Sequence, residues 1–408
     1  MSKLIKLSRA VKYSQEKIPA RGLTLDNFIT VDNMLSNKEG IKRASSLPPG
    51  SSSLPAYRPG NILVGNIRPY LKKIWLANQS GGSSADVLNF EVSEGFSPSF
   101  VFYALFRDDF FRHMMKGAKG TKMPRGDKNH ILEFLIPQFD LKDQEKIGSA
   151  LSLLDKKIRV NNQIIDNLES LSQLLYEYWF IQFEFKDSNG KPYTSAGGEL
   201  VWNEPLKRNI PNGWDVGFLS DLGSVQGGST PSTSSPDNFD SSGIPWITPK
   251  DLSMNESKKF VSSGEISLSE KGVQSANLKL FPKGSILLSS RAPIGYMAIA
   301  SNDLTTNQGF KSFIPDKDFS TPYMYYTIKH SMPTIINYSS GSTFKEISGT
   351  VLKEVKVCLA PKDVVDKFSF LIAPYFNLQE QLELENMGLQ RFRDWLIPLL
   401  MNEQIKVQ

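Results

Sequence analysis

The sequence has little of the chemistry that marks disulfide-stabilised, metal-binding or membrane proteins. Its 408 residues include one cysteine, Cys358 in VKVCLA, which excludes a disulfide framework and predicts a core residue in a reducing cytoplasm. The three histidines lack zinc-site spacing, so we expect no metal in this chain. No run reaches ~18 apolar residues and the first residues lack an apolar signal core, so neither a membrane span nor a signal peptide is expected.

Catalytic motifs are missing as well. The sequence has no Walker A loop, no FxGxG loop and no [DN]PP[FY] tetrapeptide of the kind an adenine methyltransferase needs. Asp316 with Glu354 and Lys356 imitates a PD…ExK nuclease site, but the last two lie in a predicted alternating strand, where such charges usually face solvent. No serine or cysteine has a nucleophile elbow or a paired histidine. These absences favour a binding protein over an enzyme.

The charge, +5 overall, is unevenly distributed. Residues 1–139 hold 20 Lys and Arg against 11 Asp and Glu, a net of +9, whereas residues 206–361 hold 15 against 13, a net of +2. The rest of the chain is therefore acidic. Basic globular segments suit a polyanion, and acidic helices suit protein partners, although a merely solvated basic surface would give the same numbers.

Two long helices carry heptad patterns. Residues 140–186 are predicted as the first, and residues 362–408 as a less regular second one, which Pro374 should kink and Pro398 should end. Tyr375, Leu382, Leu389 and Leu396 follow their counterparts in the first helix by 221 residues. The predicted seam comprises Leu151, Leu154, Ile158, Asn161, Ile165, Leu168, Leu175, Leu378, Leu382, Leu389, Phe392 and Leu396. Leu371 and Glu385 fall in the same repeat.

The repeat extends to the globular parts, so the chain reads as a tandem duplication. We predict an α+β fold with globular domains at residues 1–139 and 210–361, a connector at 187–209, and the two helices paired antiparallel with pseudo-two-fold symmetry. RPGNILVGNIRPY and FPKGSILLSSRAPIG correspond part for part, as do GTKMPRGDKNHIL and GSTFKEISGTVL. This places Arg68 and Arg291 at the ends of equivalent strands.

Basic residues in Gly-, Ser-, Thr- and Asn-rich loops are the candidate DNA contacts. Arginine can read guanine, Asn and Gln can read adenine, and lysine mainly neutralises phosphate. Trp246 is expected in the core. The candidate residues are Arg68, Lys72, Lys73, Lys119, Lys122, Arg125, Lys128, Lys250, Arg291, Asn307, Gln308, Lys311, Thr343 and Lys345.

The ordered set of motifs resembles the specificity subunit of type I restriction-modification systems. The resemblance lies in YWFIQFEF…GGELVWNEPLKRNIPNGWDV, GIPWITPKDL, SSRAPIGYMAIA, TTNQGF, NIRPYLKKIW and GTKMPRGDKNHIL. It implies two target-recognition domains, each reading half of a bipartite asymmetric DNA site, with the helices fixing the gap. It also implies two modification subunits with adenine N6-methyltransferase activity, joined by restriction subunits that form an endonuclease.

By this resemblance the chain itself is non-catalytic and holds no cofactor, because S-adenosylmethionine, ATP and Mg belong to the partner subunits. We expect the aromatic run Trp179, Phe180, Phe183 and Phe185 to bind partners. Two alternatives remain open at this point: a stand-alone nuclease or methyltransferase, and a basic adaptor that binds protein or RNA.

Overall fold

A computed structural model describes residues 3–187, 189–255, 258–291, 293–315, 318–338 and 346–407. The chain divides into two compact units. Unit 1 comprises residues 1–160 and 386–408, and unit 2 comprises residues 161–385. Among the described residues, no helix is long and apolar enough to cross a membrane, and no three metal-ligating side chains come together.

Unit 1 is built from short strands and helices around a central β-sheet. The strands are β1 (Leu4–Lys6), β2 (Val11–Tyr13), β3 (Lys17–Pro19), β4 (Phe28–Ile29), β5 (Ser53–Tyr57), β6 (Ile62–Gly65), β7 (Ile74–Leu76), β8 (Gly81–Ser83), β9 (Val87–Val92) and β10 (Leu135–Pro137). The helices are α1 (Pro98–Leu105), α2 (Asp108–Lys116), α3 (Lys128–Leu132) and the first part of α4 (Leu141–Tyr176).

The main sheet of unit 1 is antiparallel in the order β2-β9-β6-β7, and β1 pairs with β10 beside it. A second sheet, β3-β5-β8-β4, contains the parallel pair β4-β8. Ile62, Leu63 and Val64 are fully buried, because β6 is central and its apolar run can cover both faces. The core includes Ile147 and Leu151 from α4 and Ile397 from the C-terminal helix.

Unit 2 repeats this plan with different lengths. Its strands are β11 (Leu200–Asn203), β12 (Arg208–Pro211), β13 (Asp215–Phe218), β14 (Gly223–Gly227), β15 (Phe239–Ile247), β16 (Phe260–Val261), β17 (Ile266–Leu268), β18 (Ile286–Leu288), β19 (Met297–Ala300), β20 (Thr305–Thr306), β21 (Lys311–Pro315) and β22 (Lys356–Leu359). Its helices are α5 (Pro249–Met254), α6 (Glu270–Ser275), α7 (Thr321–Tyr338), α8 (Gly349–Glu354) and part of α9 (Lys362–Met401).

The main sheet of unit 2 has the order β14-β21-β18-β19-β16, with β13 paired to β22 beside it. The other sheet, β17-β15-β20, again contains a parallel pair, β15-β20. Within the main sheets, Ile62 faces Phe90 in unit 1 and Ile286 faces Phe313 in unit 2. The predicted α+β fold class with a duplicated plan and two long helices is confirmed.

The two long helices pair antiparallel within each unit. In unit 1, Asp155 of α4 meets Arg393 of α9. In unit 2, Asn161 meets Glu385, and Tyr176 further along α4 packs on Phe368 earlier in α9. The first helix was predicted to start at residue 140, and α4 begins one residue later, at Leu141. The Asp140 side chain caps α4 by accepting a hydrogen bond from the Asp143 N–H at 2.7 Å.

The C-terminal helix differs from expectation at Pro398. The helix continues past this residue to Met401, and the Pro398 carbonyl still accepts a hydrogen bond from the Asn402 N–H at 3.1 Å. Pro374 also lies inside α9. A proline therefore interrupts the hydrogen-bond ladder without ending the helix, since the packed side chains on either side stabilise it.

Candidate nucleic-acid interface

In unit 1 a backbone frame joins two segments that carry candidate DNA contacts to the turn after β8. The Ser84 N–H donates to the Ile29 carbonyl at 2.8 Å, which extends the parallel β4-β8 pair by one residue. The Asn66 N–H donates to the Asp86 carbonyl at 3.0 Å, and the Gly126 N–H donates to the Asn66 carbonyl at 3.3 Å. The end of β6, the turn after β8 and the basic loop before α3 therefore meet.

Unit 2 has the same frame with other side chains. The Asn307 N–H donates to the Ile247 carbonyl at 3.0 Å, and the Ser290 N–H donates to the Gly309 carbonyl at 2.8 Å. The Ile347 N–H donates to the Ser290 carbonyl at 3.0 Å. The end of β18, the turn after β20 and the loop before α8 thus meet as their counterparts do in unit 1.

The arginines occupy different positions on the two frames. In unit 1 the strand-end residue Ile67 forms a bridge with Arg125, whose guanidinium lies 3.0 Å from Asp86. In unit 2 the strand-end residue is Arg291, and it bridges Glu346, with 3.9 Å between the charged groups. Positive charge therefore comes from the loop in unit 1 and from the strand end in unit 2.

This register corrects the predicted equivalence of Arg68 and Arg291. The frame places Ile67, one residue earlier, opposite Arg291. Arg68 is exposed, its N–H donates to the Pro124 carbonyl at 2.8 Å, and it begins the short turn Pro69–Leu71 with a left-handed φ of 52°. Lys72, which ends that turn, has the same φ. Left-handed backbone is unfavourable for non-glycine residues and is often found at functional sites.

The basic loop of unit 1 is held at its base and open at its tip. Lys119 and Arg125 exchange two backbone hydrogen bonds of 2.9 Å, and the Lys119 side chain is 84% exposed while lying 3.2 Å from Asp127. Asp127 caps α3 by accepting from the N–H groups of Asn129 and His130, and these bonds together with Lys119 lower its pKa. Lys122, which lies between Lys119 and Arg125 in the sequence, is exposed.

Aromatic contacts fix the two ends of that loop. The rings of His113 on α2 and His130 on α3 stack with centroids 4.1 Å apart, and each ring nitrogen contacts the other residue's carbonyl. The Lys128 ammonium lies 5.4 Å from the centroid of the Tyr13 ring, while the Tyr13 hydroxyl donates to the Lys128 carbonyl. These contacts anchor both ends of the loop.

The turn after β20 gathers the polar candidates of unit 2. The Asn307 side-chain oxygen accepts from the Gly309 N–H at 2.9 Å. A β-carbon on Gly309 would lie 3.1 Å from this oxygen and from Pro249, and 3.6 Å from the Arg291 Nε. Glycine is what allows Pro249, Arg291 and Asn307 to approach one another. The exposed Gln308 accepts a hydrogen bond from Thr230 beside them.

Three predicted contacts have their charge engaged within the fold. Lys72 pairs with Asp108 at 2.8 Å, and Lys73 donates to the Val31 carbonyl at 2.5 Å, with burial lowering the pKa of its ammonium. Lys250 pairs with Glu265 at 2.5 Å, and this hydrogen bond raises the pKa of the lysine. Lys73, whose ammonium is partly buried, is therefore a weaker candidate for a phosphate contact than the exposed Lys119 and Lys122 of the unit 1 loop.

Other candidates lie apart from the frame or outside the described residues. Lys311 is half-buried in β21, and its ammonium is 3.7 Å from where a β-carbon on Gly227 would lie. Thr343, Lys345 and Asp316 lie outside the described residues. Trp246 is buried, as expected, and donates to the Ser229 carbonyl at 3.1 Å.

The nuclease-like arrangement suggested by the sequence does not form one strand. Glu354 ends helix α8, whereas Lys356 begins β22. The expectation that both lie in the same alternating strand is wrong.

The predicted seam of α4 lies on the buried side of that helix. The buried side of α9 is rotated by about one residue relative to part of its predicted seam. Leu151, Ile158, Asn161 and Ile165 are buried, and Leu154, Leu168 and Leu175 are partly buried. On α9, Leu382 is buried and Leu389 and Leu396 are partly buried.

The assignments of Leu378 and Phe392 to the seam are wrong, because these side chains are 42% and 48% exposed. Polar residues one position further on, Gln379 and Arg393, are buried instead. They can lie there because Gln379 donates to Glu383 and Arg393 pairs with Asp155. Sequence reasoning missed them because it assigned only apolar side chains and Asn161 to the seam.

The aromatic run expected to bind partners is part of the core. Trp179, Phe180, Phe183 and Phe185 are all buried in unit 2, with the ring of Phe180 4.9 Å from that of Phe368. A π-helical turn, Glu177–Ile181, ends α4 and directs this run inward. These residues cannot form an exposed partner surface.

In unit 2, exposed apolar side chains on α4 and on the π-helical turn that follows it show a second heptad spacing. Ile164, Leu171, Leu174 and Tyr178 are spaced by 7, 3 and 4 residues and are 37%, 40%, 58% and 37% exposed. This outer seam was not predicted, although its spacing is visible in the sequence. Exposed residues in a coiled-coil repeat are typical of a helix that packs against a further helix.

Comparisons with known proteins find relatives of one kind. Residues 211–377 match the model of the type I restriction modification DNA specificity domain. The chain is 43% identical over 206 residues to the type I restriction enzyme MjaIX specificity subunit of Methanocaldococcus jannaschii, a match that covers 49% of this chain and 47% of that protein. The chain thus spans about half the length of that relative.

Two further comparisons cover nearly the whole chain. The type I restriction enzyme HindI specificity subunit of Haemophilus influenzae is 23% identical over 93% of this chain and 94% of its own length. The crystal structure of the type I restriction-modification system S subunit from M. genitalium matches at a TM-score of 0.58 with 13% identity, covering 98% and 96% of the two chains, and so shares the fold. Taken with the duplicated α+β units and paired helices, these matches show that the chain contains a type I restriction modification DNA specificity domain at residues 211–377 and is similar to type I restriction enzyme specificity subunits over nearly its whole length.

Proposed function

We propose that this chain reads a bipartite, asymmetric site in double-stranded DNA, one half with each unit. The observation that carries the proposal is the repeated backbone frame with unlike side chains on it. Arg125 and Ser84 occupy positions that Glu346 and Asn307 occupy in unit 2. Because the backbone of the two frames is alike, both units can be placed on DNA in the same way. Because their side chains differ, each unit can select different bases.

Phosphate binding and base reading fall to different residues. The exposed Lys119, Lys122 and Lys128 surround the unit 1 loop, where ammonium groups neutralise phosphate without selecting sequence. Arg125 and Arg291 lie at the frames themselves, where Asp86 orients Arg125 at 3.0 Å and Glu346 lies 3.9 Å from Arg291. A guanidinium held in this way is suited to bidentate contact with a guanine edge in the major groove.

The paired helices would act as a ruler for the gap between half-sites. Major-groove faces on one side of B-DNA recur about every 34 Å. A helix advances ~1.5 Å per residue, so one added turn of four residues lengthens it by ~6 Å. We propose that the gap length is set by the helices and the base sequence by the frames, as two separable properties.

The partners in this proposal are two modification subunits, to which restriction subunits bind. We propose that a helix of a modification subunit packs on the outer seam of α4 in unit 2, because the 7, 3 and 4 spacing of its exposed apolar residues suits a coiled-coil neighbour. The buried aromatic run instead supports this helix from within. S-adenosylmethionine, ATP and Mg would be bound by those partners, and the assembly would act in the cytoplasm.

Selection from random DNA tests the function. The chain assembled with its modification subunits is incubated with duplexes that carry a randomised central region, and the bound fraction is sequenced at two salt concentrations. We expect two different fixed blocks separated by a gap of constant length. Recovery of one continuous block, of two identical blocks or of no preferred sequence contradicts the proposal. Binding or methylation by the chain without partners is measured in parallel, since activity there would favour a stand-alone enzyme.

A further inference from the structure

A buried lysine joins the recognition part of unit 2 to both long helices. Lys259, which precedes β16, is 3% exposed. Its ammonium lies 2.5 Å from Glu169 on α4 and 3.0 Å from the Tyr326 hydroxyl on α7, which it contacts as donor. It also lies 4.0 Å from the centroid of the Phe376 ring on α9. One cation therefore contacts three helices.

The backbone beside this lysine is held from α9 as well. Glu383 accepts hydrogen bonds from the N–H groups of Lys259 and Phe260, at 3.1 and 2.9 Å. The Gln379 side chain donates to the same carboxylate at 2.9 Å, which fixes its orientation. The edge of the main sheet is thereby attached to α9 by directed bonds instead of by apolar contact alone.

The buried charges of this network add little to the stability of unit 2 but restrict the arrangement of their partners. Burial lowers the pKa of Lys259 although Glu169 opposes the change. Burial disfavours the charge of Glu169, but Lys259 and Lys329 outweigh it and hold its pKa below the ordinary value. Burial also raises the pKa of Glu383. Charges taken out of water gain little net stability over well-packed apolar residues, yet they demand a single arrangement of their partners.

The same sheet edge leads to the candidate reading residue of unit 2. β16 pairs with β19, where the Ile299 N–H donates to the Lys259 carbonyl at 2.8 Å. β19 pairs with β18, and Arg291 follows β18 by three residues. A rotation of β16 on the helices would therefore carry Arg291 with it.

We propose that Lys259, with Glu169 and Glu383, is a positioning residue that fixes the angle of the unit 2 recognition sheet on the paired helices and so sets how strictly the gap length is read. The inference rests on the proposed function, which supplies the gap. It assigns no DNA contact to these residues. Apolar packing of Phe376 and its neighbours keeps the sheet attached when the network is broken, but over a wider range of angles.

The test compares gap selectivity in Lys259→Met with that of the wild type. The complex with modification subunits is bound to the wild-type selected site and to sites whose gap is one base pair shorter or longer. We expect the preference for the correct gap to fall about tenfold, while base preference in each half-site is unchanged. Lys271→Met is the matched control, because Lys271 pairs with Asp237 at 2.7 Å but both side chains are exposed.

Each outcome decides a different question. A wild-type complex without any gap preference contradicts the proposed function. A wild-type complex with gap preference and a Lys259→Met complex that keeps it overturns the positioning role, as does an equal loss of affinity at all gaps. Should Lys259→Met fail to fold, Lys329→Met is used, since Lys329 holds the same Glu169 at 2.7 Å from a more exposed position. It should relax the gap preference two- to threefold, and an unchanged preference there overturns the inference too.

Discussion

The contact between Arg393 and Asp155 in unit 1 predicts a strong, measurable coupling. Arg393 on α9 is 7% exposed, and its guanidinium lies 2.6 Å from one oxygen of Asp155 on α4. The other oxygen accepts the Tyr103 hydroxyl of α1 at 2.6 Å. The guanidinium also lies 4.4 Å from the centroid of the Phe106 ring. The guanidinium also pairs with the more exposed Asp394 at 2.9 Å. The Arg393–Asp155 pair therefore joins the two long helices to the recognition part of unit 1.

Removing either partner alone should cost more than removing both. Arg393→Met leaves a carboxylate whose side chain is only 21% exposed, with the tyrosine hydroxyl as its neutral donor. Breaking a buried pair in this way costs about 3–5 kcal/mol. In the double variant with Asp155→Asn no buried charge is stranded and the Tyr103 hydroxyl keeps an acceptor, so we expect a coupling energy of about 3 kcal/mol or more.

Hydrogen exchange on the full chain can measure the coupling within unit 1, to which both residues belong. The free energy of opening is taken from peptides covering α1 and residues 141–160, because unfolding of a two-unit chain is not one two-state transition. Peptides from β18 to β21 serve as an internal control and should not change. If the two single losses simply add up to that of the double variant, the ion pair is not coupled and the reasoning is wrong.

Three other predictions follow from the interface and the outer seam. Changing Lys119, Lys122 and Lys128 together to Ala should flatten the slope of log K against log salt by about two to three without altering the selected motif, since each neutralised phosphate contributes about −0.9; a lost motif with an unchanged slope would contradict this. Arg125→Ala and Arg291→Ala should each relax one half-site by ~1–3 kcal/mol in binding selections, and not the same one. Leu174→Asp should abolish co-purification with modification subunits with hydrogen exchange in unit 2 unchanged, whereas Phe180→Ala should lower the free energy of opening of unit 2 by about 3–5 kcal/mol in the same measurement. If Phe180→Ala abolishes co-purification without loss of stability and Leu174→Asp does not, the aromatic run and not the outer seam binds the partner.

Much of the fold could be predicted because heptads and duplication are local or repeated signals. The first helix was expected from residue 140 and begins at Leu141, because its seam repeats over many turns with only Ser172 interrupting it. The rotation of the α9 seam could not be predicted. It depends on Gln379 and Arg393 finding partners, Glu383 and Asp155, and the partner of Arg393 lies 238 residues away in the sequence.

The candidate interface was predictable as a set of loops and less so as single residues. Arg68 and Arg291 look equivalent by residue type, but hydrogen-bond register decides equivalence, and it matches Arg291 with Ile67. The same limit applies to Lys73, whose basic character says nothing about the Val31 carbonyl that binds it. The frames themselves depend on the parallel pairs β4-β8 and β15-β20, which join short strands far apart in the chain.

The division of the chain into units also determines the order in which they can fold during synthesis. Unit 2 is continuous, so residues 161–385 suffice to complete it, whereas unit 1 needs residues 386–408 to cover Ile147 and Leu151. At about 5–20 residues per second, the ribosome leaves that apolar surface of unit 1 uncovered for roughly ten seconds or more. The part made first is therefore finished last. Loss of residues 386–408 would accordingly damage unit 1, most of which lies far away in the sequence, and would spare unit 2, which directly precedes them.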